Sequence, residues 1–295
     1  MTMKILVTGS NGLLGQKLVH QLKDDPEITL VATSRGENRL SSGEGYHYRS
    51  LDITDRSQVL TCLAEEQPEV VINTAAMTNV DHCEEDKEGC DALNVEAVKH
   101  LIAAAQNHPF RLVHLSTDFI FDGESGPYRE EDPAHPLSYY GASKLKAEEL
   151  IQASGMDYAI LRTVLVYGVA ESMSRSNIVL WAKGALEKEQ ELKVVDDQFR
   201  SPTLAEDLAQ GCILAAKRGA QGIFNISGKD QMSILELVWR VADFWQLDKS
   251  RITAVSSHTL NQAAKRPPIT GFVLDKARQE LGYAPHSFEE GLALV

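Results

Sequence analysis

Tyr140 and Lys144 stand four residues apart in the run Ser138-Tyr139-Tyr140-Gly141-Ala142-Ser143-Lys144, which opens a helical stretch reaching about Ser154. At that spacing two side chains share one helix face. A phenol beside an ammonium can move a proton at a carbonyl oxygen. A Tyr hydroxyl, with an ordinary pKa of about 10, is a poor acid–base group at neutral pH unless its anion is stabilised, and a nearby positive charge lowers that pKa. Pairs of this kind are common on surface helices, so the spacing alone decides little. Upstream, Arg111–Leu115 reads as a strand that delivers Ser116, Thr117 and Asp118 at its carboxyl end, where open α/β sheets hold ligands. Thr117 can orient a substrate oxygen, Tyr140 can protonate it, and Lys144 can serve both Tyr140 and a nicotinamide ribose. These three residues form the candidate catalytic set for reducing a carbonyl to an alcohol.

Such a reaction needs a hydride donor, and the start of the chain offers a place for one. In Lys4–Gly15, KILVTGSNGLLG, an apolar strand runs into Gly9, Gly12 and Gly15, and then into an amphipathic helix carrying Leu14, Leu18, Val19 and Leu22 on one face. Strand, glycine turn and helix N-terminus together cradle a pyrophosphate. The spacing GxxGxxG departs from the plain GxGxxG fingerprint, so its context carries the reading. Gly9, Ser10, Asn11, Gly12, Leu13 and Leu14 are the expected cofactor contacts. After a second strand, Ile28–Thr33, stand Ser34 and Arg35, where an NAD site usually carries an acidic side chain for the ribose hydroxyls. A guanidinium pairs instead with a 2′-phosphate, which favours NADP(H) while admitting NAD(H). Asp52, beside Ile53 at the tip of a third strand, can accept from an adenine amino group. The small residues Thr74, Ala75 and Ala76 after the next strand let backbone lie against the cofactor.

The remaining elements alternate in the order that positions these groups. Strands at Ile28–Thr33, Val70–Asn73, Arg111–Leu115 and Tyr158–Arg162 are separated by helices, which predicts a doubly wound parallel α/β sheet with right-handed crossovers. Residues 36–50 read as a polar loop, and the acidic run Glu84–Glu88 as a solvated helix face. Beyond Gly168 the alternation lapses: a helix at Asn177–Lys188, a strand at Leu192–Val195, Ser201-Pro202-Thr203 capping a helix through Lys217, a strand at Ile223–Ile226 and an amphipathic helix at Ser233–Trp245. The predicted organisation is a dinucleotide-binding domain over 1–168, with 201–222 packed back on it, and a smaller C-terminal substrate-binding cap from 169–200 and 223–295.

Bulk properties narrow the function further. The chain has 295 residues and a formal net charge of −13, which argues against nucleic acid as a partner because phosphate backbones require a basic face. No apolar run reaches membrane-spanning length, and the N-terminus lacks a signal-peptide pattern, so the expectation is a cytoplasmic protein with no membrane partner. The four cysteines, at 62, 83, 90 and 212, match no metal spacing and are expected to be reduced thiols, with no metal site.

TGSNGLLG, the strand-end STD at Ser116–Asp118 and YGASK at Tyr140–Lys144 resemble the extended short-chain dehydrogenase/reductases, a Rossmann-type family. More narrowly, AAMTNVDHCE (75–84), STDFIFDG (116–123), ILRT followed by VYG (160–168) and DQFRSPT (197–203) are similar to the dTDP-4-dehydrorhamnose reductase family along nearly the whole chain. The resemblance implies NAD(P)H-dependent reduction of a 4-keto sugar nucleotide, with Thr117, Tyr140 and Lys144 catalytic. It also implies Thr78, Val80, Asp81, Arg200 and Pro202 on the substrate side, and it admits a homodimer. Two positions depart from the family pattern: Leu165 stands where Trp is usual, and Arg200 where Gly is usual. Both shift the expected sugar away from dTDP-4-dehydrorhamnose, and Arg200 could meet a diphosphate or an acidic sugar, or pair with Asp196 or Asp197. A sugar-nucleotide epimerase is disfavoured by Arg35 and by the modest length. A non-catalytic NADP-binding subunit, like the regulatory subunit of methionine adenosyltransferase, shares the glycine loop.

Overall fold

The computed structural model describes residues 2–173, 176–260 and 262–295. The N-terminal half runs β1 (Met3–Thr8), α1 (Leu13–Leu22), β2 (Ile28–Ser34), β3 (His47–Ser50), α2 (Arg56–Glu66) and β4 (Val70–Asn73). Two short helices, α3 (Val80–Glu85) and α4 (Lys87–Asp91), pass through a π-helical turn at Ala92–Glu96 into α5 (Ala97–Asn107). Then come β5 (Arg111–Thr117), a 3-10 turn at Asp118–Ile120, α6 (Tyr139–Ala153) and β6 (Tyr158–Thr163). The second half contains β7 (Val166–Tyr167), α7 (Ile178–Glu187), β8 (Leu192–Val195), β9 (Phe199–Arg200), β10 (Thr203–Leu204), α8 (Ala205–Lys217), β11 (Gly222–Asn225), β12 (Met232–Ser233), α9 (Ile234–Phe244), β13 (Ile252–Val255) and α10 (Phe288–Leu292).

Among the described residues the main sheet has seven strands in the order β11-β6-β5-β4-β1-β2-β3, all parallel. Both faces are buried, as all-parallel sheets require, and the strands alternate between them. Ile5, Val7, Ile72, Val113 and Leu161 pack toward α8 residues such as Leu208 and Cys212 and toward α1 residues Leu18 and Leu22. Leu6, Val71, Leu112 and Ile160 pack toward Val59 of α2, Leu101 of α5 and Ala147 and Ile151 of α6. The cap has its own core, in which Val179 and Leu186 of α7 meet Leu237, Val238 and Val241 of α9 beneath Tyr167 and Phe288.

Three expectations change. The polar segment 36–50 ends in a strand, β3, at the sheet's edge, where half-exposed polar residues are the rule and an apolar run is not needed. The sequence Ser201-Pro202-Thr203 does not cap α8. Thr203 enters β10 and donates its hydroxyl to the Val164 carbonyl at 2.6 Å, while Leu204 stands at the helix start without a side-chain cap. Finally, the 222/223 boundary falls inside β11, which belongs to the main sheet. Phe272, Leu274, Leu281 and Tyr283 likewise pack against the sheet's α1/α8 face rather than the cap core.

One buried ion pair ties α6 to the sheet. Glu148 of α6 is completely buried, and Arg162 of β6 reaches it through Nη2 at 2.7 Å and Nε at 3.1 Å, with Nη1 donating to the Glu130 carbonyl at 2.9 Å. Removing one partner of such a pair strands the other charge, at a cost of about 3–5 kcal/mol. Glu148→Ala is therefore expected to lower the urea midpoint sharply at neutral pH, whereas an unchanged midpoint would show that the pair contributes little.

Candidate active site

The strand order reverses between β1 and β4, which opens a crevice at their carboxyl ends. The glycine loop after β1 and Thr74–Ala76 after β4 flank it. Gly9 adopts φ +69°, and a Cβ there would lie 2.8 Å from the Ala75 nitrogen, so only glycine lets the two loops approach this closely. Thr74 holds the same junction by donating to the Thr8 carbonyl at 2.7 Å. The α1 N-terminus has no side-chain cap, leaving backbone donors aimed into the crevice, and the buried Ser10 hydroxyl has no hydrogen-bond partner. Uncapped N–H groups and an orphaned hydroxyl suit an anionic diphosphate.

The adenosine end is shaped by interactions that sequence spacing does not reveal. Asn11 does not point into the cradle. Its amide donates to the Glu37 carbonyl at 2.8 Å and accepts from the Arg39 nitrogen at 2.9 Å, while the Tyr48 hydroxyl donates to the Gly36 carbonyl at 2.7 Å. The loop that bears Ser34 and Arg35 is thus pinned from both sides. Arg35 is exposed, and its Nη1 lies 4.0 Å from Asp52. Asp52 in turn accepts from the Thr54 nitrogen and hydroxyl at 3.0 and 2.7 Å. Arg39, a second exposed guanidinium on the pinned loop, was legible only as another Arg four residues past Arg35. Ile53, expected at the cofactor, instead buries its side chain in the α2/α5 core, because the chain turns inward after Asp52.

Thr117, Tyr140 and Lys144 converge at the carboxyl end of β5. The N-terminus of α6 is held by Ser138, whose hydroxyl accepts from the Gly141 nitrogen at 3.2 Å, and by the acidic segment. Glu84 accepts from the Tyr139 nitrogen at 2.7 Å, and Asp91 from the Tyr139 hydroxyl at 2.9 Å. Part of the acidic run is thus a docking surface for α6 rather than a purely solvated face. Gly141 is required by closeness: a Cβ there would lie 2.1 Å from the Phe119 carbonyl oxygen.

Tyr140 is buried against Phe119, Cys83 and Cys90, with Val80 packed beside them. Burial raises its phenol pKa above the usual range, partly offset by the Thr117 hydroxyl. The downward shift expected from Lys144 is therefore not the net effect; the resting phenol is neutral. Burial also lowers Lys144 from 10.5 to about 8, opposed by Glu148 and Cys90. Its ammonium lies 3.3 Å from His114 Nε2.

Asp118, the third residue of STD, links the two halves. It accepts from the Thr117 hydroxyl at 3.1 Å and from the Thr270 hydroxyl, and Arg200 Nε lies 3.9 Å away. Burial raises the Asp118 carboxyl, and Arg200 opposes that rise. Arg200 is 3 % exposed, and its other donors go to the carbonyls of Phe199, Pro267 and Pro268. Its guanidinium is spent on the protein, on Asp118 and not on Asp196 or Asp197, so the expected cation facing ligand is not found. Pro202 is buried, with its carbonyl close against Gly228. Thr78 is exposed at the start of α3. Asp81 accepts from Arg266 at 2.6 and 3.2 Å and from the Ala264 nitrogen at 3.0 Å, clamping α3 to the C-terminal segment. Leu165 lies between the sheet and cap cores with φ +39°, a conformation that a bulky residue rarely adopts. Among the described residues no group of three His, Cys, Asp or Glu could hold a metal, and no helix is long and apolar enough to cross a membrane.

A model of the family described as RmlD substrate binding domain matches residues 3–295. The chain belongs to this family. It is 32% identical to the spore coat polysaccharide biosynthesis protein SpsK of Bacillus subtilis, over 98% of this chain and 95% of that one. It is 29% identical to methionine adenosyltransferase 2 subunit beta of Xenopus laevis, over 90% of this chain and 78% of that one. The crystal structure of dTDP-4-dehydrorhamnose reductase from Bacillus anthracis in complex with NADP superposes with a TM-score of 0.86 at 28% identity, covering 99% of this chain and 98% of that one. Family, sheet topology and glycine loop together make this an extended short-chain dehydrogenase/reductase, within the NAD(P)-dependent oxidoreductases.

The buried ammonium has a consequence for stability. Unfolded, Lys144 keeps its proton up to about 10.5, whereas folded it releases it near 8. Between those values the unfolded chain binds more protons, so this group's contribution to stability rises with pH; below 8 the folded state carries the full cost, about 3 kcal/mol. Lys144→Met should therefore be more stable than the native protein at pH 7 without cofactor, and the difference should shrink toward pH 10. Urea unfolding at both pH values checks this, and a variant less stable at pH 7 would contradict it.

Proposed function

We propose that this protein reduces the keto group of a 4-keto sugar nucleotide, using NADPH in preference to NADH and Tyr140 as the proton donor. The observation that carries the reading is the convergence of Thr117, Tyr140 and Lys144 beside a crevice whose uncapped helix and orphaned Ser10 hydroxyl suit a dinucleotide. NADPH, when bound, supplies the hydride. Thr117 orients the substrate oxygen, exchanging its bond to Asp118 for one to substrate. Tyr140, neutral at rest, gives its proton to that oxygen as the carbonyl carbon gains hydride, and the product is an alcohol. Lys144 stabilises the resulting phenolate, which regains a proton from solvent, and reaches the ribose. Arg35, with Arg39 beside it on a pinned loop, would face the 2′-phosphate. The cap would close over the sugar nucleotide, with Thr78 and Val80 at the mouth. Arg200, being spent internally, no longer bears on which sugar is taken; Leu165 does.

NADPH oxidation against a panel of 4-keto sugar nucleotides, dTDP-4-dehydrorhamnose included, tests the reading. At least one substrate should turn over, and Tyr140→Phe should lower turnover by about 10²–10⁴-fold with NADPH affinity nearly unchanged. Tight NADPH binding without turnover of any of them would favour the second reading, an NADP-binding regulatory subunit, which the similarity to methionine adenosyltransferase 2 subunit beta supports.

Cofactor choice has its own check. Arg35→Ala should weaken NADPH binding by about tenfold or more while leaving NADH unaffected, since one charge-assisted pair is lost. Equal affinity of the native protein for the two cofactors would contradict the assignment.

A further inference from the structure

Three polar side chains at matched positions on neighbouring strands form a row beneath α6. Thr8 pairs in register with Asn73 across β1 and β4, and Asn73 with His114 across β4 and β5. Residues at matched positions of a parallel sheet point to the same face. That face is the one α6 covers, because Leu6, Val71 and Leu112, each two residues earlier on its strand, pack with Ala147 and Ile151 of α6. Hydrogen-bond distances join the row and extend it to the helix: Thr8 Oγ1 to Asn73 Oδ1 at 2.6 Å, Asn73 Nδ2 to His114 Nδ1 at 3.1 Å, and His114 Nε2 to Lys144 Nζ at 3.3 Å. All four residues are at most 3 % exposed. Apolar side chains would fill such a row without the cost of burying polar groups.

We infer that His114 is a positioning residue for Lys144: its neutral imidazole accepts a hydrogen bond from the ammonium at Nε2 and, backed by Asn73 and Thr8, fixes that ammonium behind Tyr140. The inference deepens the reading of Lys144 as the charge that serves Tyr140 and rests on it. An ammonium only donates, so Nε2 must be unprotonated, and a neutral ring then carries its proton on Nδ1. Nδ1–H needs an acceptor, which Asn73 provides when its amide oxygen faces the ring and its NH₂ faces Thr8 Oγ1. The structure carries the opposite amide orientation, with Nδ2 facing the ring and Oδ1 accepting from Thr8, which suits a ring protonated at Nε2 and an uncharged Lys144 amine; exchanging the amide's O and N gives the first arrangement. The heavy-atom distances serve both arrangements, so the His114 tautomer reports the charge on Lys144. Burial and the Lys144 charge hold His114 far below its ordinary pKa, which keeps the ring neutral. The other titratable groups facing Lys144 are Cys90 from α4 and, on its own helix, Glu148. Glu148 is held by Arg162 from β6, and Cys83 from α3 faces Tyr140 and Cys90.

Imidazole ¹⁵N NMR of the native protein at pH 7, without cofactor or substrate, tests the tautomer directly. The expected result is a proton on His114 Nδ1 with Nε2 bare, giving way to protonated Nε2 as the pH rises past about 8. A ring protonated at Nε2 at pH 7, or a cationic ring, would overturn the inference. Titration of ¹³Cε-labelled lysine gives the second arm. His114→Leu should move the Lys144 midpoint down by about one pH unit or more, and His114→Gln, which keeps an acceptor, should restore it. The alkaline limb of kcat/KM should move with it. An unmoved midpoint in a folded Leu variant would also overturn the inference. Should that variant fail to fold, the native tautomer still decides. Neither NMR readout needs turnover, so failure of the reductase reading would be seen separately.

Discussion

The ammonium of Lys144, at 3 % exposure, makes demands on its surroundings that much of the fold answers. A charge taken out of water must be matched by nearby dipoles and counter-charge. Glu148 supplies the counter-charge one helical turn on, and Arg162 keeps that carboxylate from becoming a liability of its own. His114 supplies a dipole, carried up from β1 and β4 by strand register. The same helix also carries Tyr140, buried beside Thr117. Glu84 and Asp91 hold its first turn from outside, and Gly141 allows the Phe119 carbonyl to press against it. A protein that retains a buried ammonium carries a stability cost, which is commonly found where function requires it.

Asp118 is the second point on which the site turns. One carboxylate oxygen accepts from Thr117 at the sheet, and the other meets Thr270 and Arg200 from the second half. Arg200 in turn gathers the carbonyls of Pro267 and Pro268, while Arg266 grips Asp81 on α3. The Thr117 hydroxyl is thus mechanically continuous with the segment that carries Thr270. Movement of that segment on ligand binding would be felt at Thr117 through a single carboxylate.

What the sequence disclosed was local. The glycine loop, the Tyr140–Lys144 spacing and the apolar strands are short-range patterns, and the structure contains them with boundaries shifted by a residue or two. The helices read as opening at Ser138, Asn177 and Ser233 do so, and in the structure each of those side chains caps its helix. What stayed hidden depended on partners distant in sequence. Arg200 looked like a cation near ligand because nothing in its neighbourhood announces Asp118 or the 267–268 carbonyls. Asn11 looked like a phosphate contact because its hold on residues 37–39 exists only after folding. His114 carried no signal within RLVHL, since its meaning arises from Asn73 on one side and Lys144 on the other. The third strand was legible only by its tip near Asp52, and its extent over His47–Ser50 was not, because an exposed edge strand has no apolar stripe to show.

Hydride transfer to a carbonyl at this site is tested most directly by following the hydrogen itself. The protein would be incubated with NADPH deuterated at both nicotinamide C4 positions and with each 4-keto sugar nucleotide, and the products analysed by mass spectrometry. The prediction is one deuterium per molecule of product alcohol, fixed on carbon and retained in ordinary water. Product alcohol without deuterium, or NADPH bound and never consumed with any of these substrates, would contradict it.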